Sequence, residues 1–142
     1  RKEQEEQAVG ATYCKKIDSL LQKADFVMVV VSLTPLTDEL IGKREMELMK
    51  PAATLINISR GTIQNCPATA LQTGVIRAAA LDVTYPEPLP RDHMLLKLKN
   101  IIITPHLSIK TDKATYMITE EAAENILAAL NGLPIPSEVL PS

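Results

Sequence analysis

The chain has 142 residues, 46% of them hydrophobic, which suits one globular domain with a core of its own. A net charge of −2 gives no electrostatic hold on nucleic acid or an anionic membrane surface, and 3% aromatics leave nothing on which bases could stack. No apolar run is long enough to cross a bilayer, and no signal-peptide pattern opens the chain. Two cysteines, Cys14 and Cys66, fit no metal spacing and read as free thiols in a reducing compartment, so a cytoplasmic setting is expected.

Residues 1–7 are polar and expected to be exposed, and residues 9–12 read as a short edge strand. Ile17, Leu20 and Leu21 have the spacing of a small amphipathic helix over 17–22. The β-branched run 26–31 shows no alternation, which predicts a strand buried on both faces of a parallel sheet, stopped by Pro35. Thr37 is expected to cap a helical turn over 38–41, Gly42 to break it, and 43–49 to form a second short helix ended by Pro51. Strands are predicted over 53–58, 78–81 and 101–103, with a weak helix over 68–72 closed by Gly74. From Thr111, an N-cap residue, a long helix runs to about Asn131 with Ile118, Ala122, Ile126, Ala129 and Leu130 as its apolar stripe. Gly132 stops it, and Pro134 and Pro136 start an extended tail.

Strands alternating with helices define an α/β chain with a parallel sheet, and such sheets bind ligands outside the carboxyl ends of their strands. The residues at those ends are 32–35, 59–61, 82–87 and 104–106. That rim gathers a hydroxyl, the Arg60 guanidinium, the Asp82 and Glu87 carboxylates and the His106 imidazole. A guanidinium forms two parallel hydrogen bonds to a carboxylate, and an imidazole can deliver a proton to a carbonyl oxygen. Taken singly, each has a plainer reading: a loop arginine, a structural histidine, a solvated glutamate between prolines, an aspartate capping a loop. His93, in the charged loop 90–93, reads as structural. There is no GxGxxG or Walker motif and no zinc or calcium ligand spacing.

The segments 24–26, 32–37, 48–51 and 56–61, followed by 81–83, 86–90 and 104–106, resemble in order the D-isomer-specific 2-hydroxyacid dehydrogenases. The wording Ser-Leu-Thr-Pro, Asn-Ile-Ser-Arg-Gly and Asp-Val-Thr-Tyr-Pro-Glu-Pro-Leu-Pro is similar to the glyoxylate/hydroxypyruvate reductase branch. The resemblance implies an incomplete Rossmann-like parallel sheet with flanking helices and a long C-terminal helix. Residues 1–142 would be the C-terminal part of the NAD(P)-binding domain, beginning after the family's first βαβ unit. Residues 112–142 would pack back toward a substrate domain.

By the same resemblance, Arg60 would hold the carboxylate of a small 2-oxo or 2-hydroxy acid, His106 would protonate its carbonyl, and Glu87 would orient and charge His106. Asp82 would bind the nicotinamide carboxamide. Ser32, Thr34, Ile58 and Ser108 would line the cofactor, and Arg1 would read the 2′-phosphate of NADP, with NAD the other possible cofactor. A homodimer is implied for the full-length parent. Two features stand apart from the family pattern: Gln64-Asn65-Cys66-Pro67 where a Val-Asp motif is usual, and Ile109-Lys110 where small residues are usual. They favour an alternative, a non-catalytic relative that keeps only the nucleotide-binding fold.

Overall fold

The β-branched and aliphatic runs form four strands, β1 (Phe26–Val29), β2 (Thr54–Asn57), β3 (Ala78–Leu81) and β4 (Ile101–Ile103). In this computed structural model they pair in parallel, in the order β1-β2-β3-β4. Residues 3–60 and 66–138 are described, and the chain divides into two units, Arg1–Ile103 and Thr104–Ser142.

Parallel neighbours need crossovers. In the first unit α3 (Lys43–Leu48) connects β1 to β2, α4 (Cys66–Gln72) connects β2 to β3, and a 3-10 helix (Met94–Lys97) connects β3 to β4. Two further helices, α1 (Glu3–Ala8) and α2 (Ile17–Leu21), precede the sheet. The register places Val27, Leu55, Ala79 and Ile101 side by side, and Val29, Asn57, Leu81 and Ile103 in the next row of the same face. Leu55 is fully buried on that face, and Leu21, Met46 and Leu71 of α2, α3 and α4 join it in one core.

The opposite face is different. Met28, Ile56, Ala80 and Ile102 share its central row, and Phe26, Met28 and Ile102 are exposed. The expectation that 26–31 is buried on both faces therefore fails for β1. It is the edge strand, its burial alternates residue by residue, and the helices of this unit bury only its Val27 and Val29 side.

Other expectations are corrected locally. Residues 9–12 form no strand, because they close α1: Gly10 takes φ +67° and the Ala11 N–H reaches the Glu6 carbonyl at 2.9 Å. That six-to-one bond is a Schellman stop. Residues 38–41 form turns rather than a helix, since Glu39 has a left-handed φ of 52°. The helix over 43–48 is present, and Glu45 accepts from the Gly42 N–H at 3.1 Å across its first turn. Gly74 closes α4 as expected, with φ +73° and Val75 N–H bonded to the Ala70 carbonyl at 2.9 Å. The 3-10 helix was not anticipated; His93 caps it by accepting from the Leu95 N–H at 3.3 Å, in keeping with a structural role.

The second unit is α5 (Asp112–Leu130) with the turns on either side. Thr111 caps it, its hydroxyl accepting from the Ala114 N–H at 3.1 Å. At the other end Gly132 takes φ +67° and the Leu133 N–H bonds to the Ala128 carbonyl at 2.9 Å. The tail is not simply extended. It turns back along the helix, where the Ser137 N–H meets Asn125 Oδ1 at 3.1 Å and the Ser137 hydroxyl meets Glu121. No α5 residue is buried, and Ile118, Ile126 and Leu130 of its stripe are exposed.

Candidate active site

At the carboxyl ends of β1 and β2 lies a cleft of about 430 Å³, lined by Val30, Val31, Ser32, Leu33, Ile58, Ser59 and Arg60. β1 ends at Val29, short of the predicted stop at Pro35, and β2 ends at Asn57, and both run out into loops here. Three residues expected from the sequence, Ser32, Ile58 and Arg60, thus share one wall system.

The two loops are held by side chains that sequence reasoning missed or assigned otherwise. Asn57, the last residue of β2, is fully buried. Its Oδ1 accepts from the Ser59 N–H at 3.0 Å, and its Nδ2 donates to the Arg60 carbonyl at 2.8 Å. The Asn57 carbonyl accepts from the Asp82 N–H at 2.9 Å, linking this turn to the end of β3. Ser59 donates its hydroxyl to the Val31 carbonyl across the cleft. Thr37, expected to cap a helix, instead folds back: its hydroxyl accepts from the Thr34 N–H at 2.8 Å and donates to the Ser32 carbonyl at 2.5 Å. The signal for Asn57 and Ser59 was present, because Asn and Ser two residues apart after an apolar strand favour a side-chain-bonded turn.

The remaining predicted residues have these positions. Arg60 is exposed, with Nη1 donating to the Ser59 carbonyl at 2.9 Å. Thr34 is half-buried in the Thr37 turn and does not line the cleft. Asp82 follows β3 directly and is 5% exposed. Glu87 is exposed in a turn whose Tyr85–Pro86 and Glu87–Pro88 bonds are cis, and Thr84 Oγ1 donates to the Pro86 carbonyl at 3.0 Å. His106 and Ser108 belong to the second unit. His106 is half-buried, has φ 53°, and its N–H bonds to the Thr104 carbonyl at 3.0 Å. A left-handed φ is uncommon outside glycine, although histidine is among the residues that adopt it more readily. Ser108 is exposed, and Arg1 lies outside the described residues.

A larger cavity, about 570 Å³, runs between α3 and α4 and is lined by Lys43, Met46, Glu47, Thr69, Ala70, Thr73 and Val75. None of the predicted residues borders it. The resolved electrostatic effects also lie on α3. Asp18, hydrogen-bonded to Arg44, and then Glu45 raise the Arg44 guanidinium further, while Arg44 holds the Glu45 carboxyl below the usual carboxylate range. Among the described residues no group of His, Cys, Asp or Glu is arranged to hold a metal ion, and no helix is long and apolar enough to cross a membrane.

A parallel α/β sheet whose strand ends carry a polar, partly apolar cleft is the architecture of a dinucleotide-binding domain. Residues 1–108 match the family model of the D-isomer specific 2-hydroxyacid dehydrogenase NAD binding domain, and the chain belongs to that family. It is 47% identical over 122 residues to the glyoxylate reductase/hydroxypyruvate reductase of Homo sapiens, covering 84% of this chain and 37% of that protein. It is 43% identical over 129 residues to the glyoxylate/hydroxypyruvate reductase B of Enterobacter sp. (strain 638), covering 89% and 40%. Among solved structures, the NADPH-dependent glyoxylate/hydroxypyruvate reductase of Sinorhizobium meliloti, in complex with NADP and malonate, superposes with a TM-score of 0.83 at 26% identity, covering 92% of this chain and 41% of that one. The NAD-complexed 2-hydroxyacid dehydrogenase of Lactobacillus delbrueckii ssp. bulgaricus gives 0.80 at 30% identity, covering 94% and 45%. The chain therefore spans about two fifths of the length of the curated relatives it matches.

Proposed function

We propose that this chain forms the cofactor-binding part of an oxidoreductase that reduces a small 2-oxo acid of the glyoxylate or hydroxypyruvate kind, with NADPH as the preferred donor. The observation that carries the reading is the cleft at the ends of β1 and β2, where Arg60 stands beside Ser32 and an apolar wall of Val30, Val31, Leu33 and Ile58. Its volume of about 430 Å³ falls within the range of small-molecule sites, and its lining suits a flat, largely apolar ring with a few polar substituents. Names of relatives add support, since both curated proteins above are called glyoxylate and hydroxypyruvate reductases.

In this reading Ser32 and Ile58 hold the cofactor, Asp82 accepts from its carboxamide N–H, and Arg1 binds the 2′-phosphate. A reduced nicotinamide held by these residues would supply the hydride for a 2-oxo acid carbonyl carbon. Arg60 grips the substrate carboxylate with two parallel hydrogen bonds, which fixes the carbonyl in one orientation. His106 releases a proton to the carbonyl oxygen as negative charge develops there, giving the alcohol.

The experiment is a graft. Residues 1–142 replace the matching segment of the human relative, and NADPH oxidation with hydroxypyruvate is followed. Arg60→Ala and His106→Ala are each expected to lower kcat/KM by about 10²–10⁴-fold. Turnover that survives both substitutions overturns these roles. A folded graft with no turnover at all favours the non-catalytic relative. Arg1→Ala is expected to erase the preference for NADPH over NADH, and an unchanged preference rejects the assignment of Arg1.

A further inference from the structure

We propose that Asn57 and Ser59 are positioning residues of this site: together they lock the 58–60 turn to the sheet and to the β1 loop, and so fix where Arg60 leaves the backbone. The functional half of the proposal rests on the carboxylate-binding role given to Arg60 above; the mechanical half does not.

Asn57 and Asp82 are the buried polar or charged residues of the described chain. A buried amide is costly unless its donors and acceptor are satisfied. Asn57 meets that demand with the backbone of the turn that follows it, at 3.0 Å to the Ser59 N–H and 2.8 Å to the Arg60 carbonyl. Beyond the last residue of β2 the sheet can no longer satisfy these two backbone groups, and one side chain does so from inside the core. The anchor is rigid because Asn57 pairs with Val29 and Leu81 on the strands to either side.

Ser59 supplies the second tether. Its hydroxyl donates to the Val31 carbonyl, 28 residues earlier in the chain, so the two loops that wall the cleft are joined directly. Arg60 then returns Nη1 to the Ser59 carbonyl at 2.9 Å. Position matters here because a misplacement of about 1 Å in a binding group can cost about two orders of magnitude in rate.

The test uses the 142-residue chain, labelled with ¹⁵N, in wild-type, Ser59→Ala, Ser59→Thr and Asn57→Asp forms. Ser59 is only half-buried, so Ser59→Ala tests the idea even if Asn57→Asp fails to fold. In wild type the Arg60 amide is expected to be as rigid as the core, with an order parameter of about 0.85. In Ser59→Ala and Asn57→Asp it is expected to fall below about 0.6 while Leu55 stays rigid, and Ser59→Thr is expected to restore it. An Arg60 amide that stays rigid in both variants overturns the proposal, as does one that loosens together with Leu55.

Titration with oxalate, a compact stand-in for a 2-oxo acid, reads the second half. Binding at the Arg60 guanidinium is expected to weaken roughly 10- to 100-fold in the variants and to return in Ser59→Thr. If Arg60 loosens as stated and wild type shows no response to oxalate, the positioning role stands and carboxylate binding by Arg60 falls.

Discussion

The Thr37 hydroxyl donates to the Ser32 carbonyl at 2.5 Å and accepts from the Thr34 N–H at 2.8 Å. One side chain thus closes the loop that carries the Ser32 wall of the cleft, and the turn depends on a hydroxyl rather than on a helix. Thr37→Val keeps the shape of the side chain and removes both bonds. It is expected to cost about 1–3 kcal/mol in urea unfolding, with Thr37→Ser retaining most of the stability. Equal losses in the two variants would mean that the methyl contact, not the hydroxyl, holds the loop.

The two faces of the sheet predict opposite outcomes for similar changes. Leu55 is fully buried, so Leu55→Ala is expected to cost about 2–5 kcal/mol. Ile102 is 67% exposed on the other face, so Ile102→Thr is expected to stay within about 0.5 kcal/mol. Urea denaturation of both variants checks the contrast. A large loss at Ile102 would show that the open face is covered in solution.

Gly74 needs its left-handed backbone but has room for a side chain. Its φ is +73°, and a Cβ there would meet nothing within 4 Å. Gly74→Ala is therefore expected to cost about 1 kcal/mol through backbone strain alone. Gly42, with a φ of −98°, is different: a Cβ would come within 3.3 Å of the Glu45 carboxylate that caps α3. Thermal unfolding of the two alanine variants, compared with double variants carrying Glu45→Ala, separates strain from crowding, since only the Gly42 loss should shrink.

Stability should also fall with acid in a way traceable to Glu45. Arg44, then the backbone N–H groups of Glu45 itself and Gly42, lower its carboxyl in the folded chain, against an opposing effect of burial. A carboxyl lowered by folding contributes stability that is fully present above its ordinary value of about 4.3 and is lost as the pH falls through the folded value. The gap in urea midpoint between wild type and Glu45→Gln is expected to be largest near neutral pH and to narrow on acidification. A gap that widens in acid would reverse the assigned sign.

The strands at 54–57, 78–81 and 101–103 could be read from the sequence because the apolar runs are short and their flanks, such as Gly74 before Ala78 and Pro86 after Leu81, exclude a longer helix. The long helix was equally legible from Thr111 at one end and Gly132 at the other. Turns were harder. Thr37 has the chemistry of an N-cap, and whether its hydroxyl serves the residues after it or before it depends on the left-handed Glu39. The return of the tail onto α5 through Ser137 likewise rests on contacts with Asn125 and Glu121, which no local rule supplies.

By itself the sequence determined the α/β class, the parallel sheet and the strand ends at which Ser32, Arg60, Asp82 and Glu87 stand, because periodicity and turn residues act over a few neighbours. Only the tertiary structure decided which face of β1 is covered and which side chains hold the cleft. Burial depends on which helices pack where, and Val27 is inside while Met28 is exposed although both are apolar. Asn57 could have been a solvated loop residue. Its burial at the end of β2, against Ser59 and Arg60, makes it the anchor of the site, because a buried amide must find its partners in the protein.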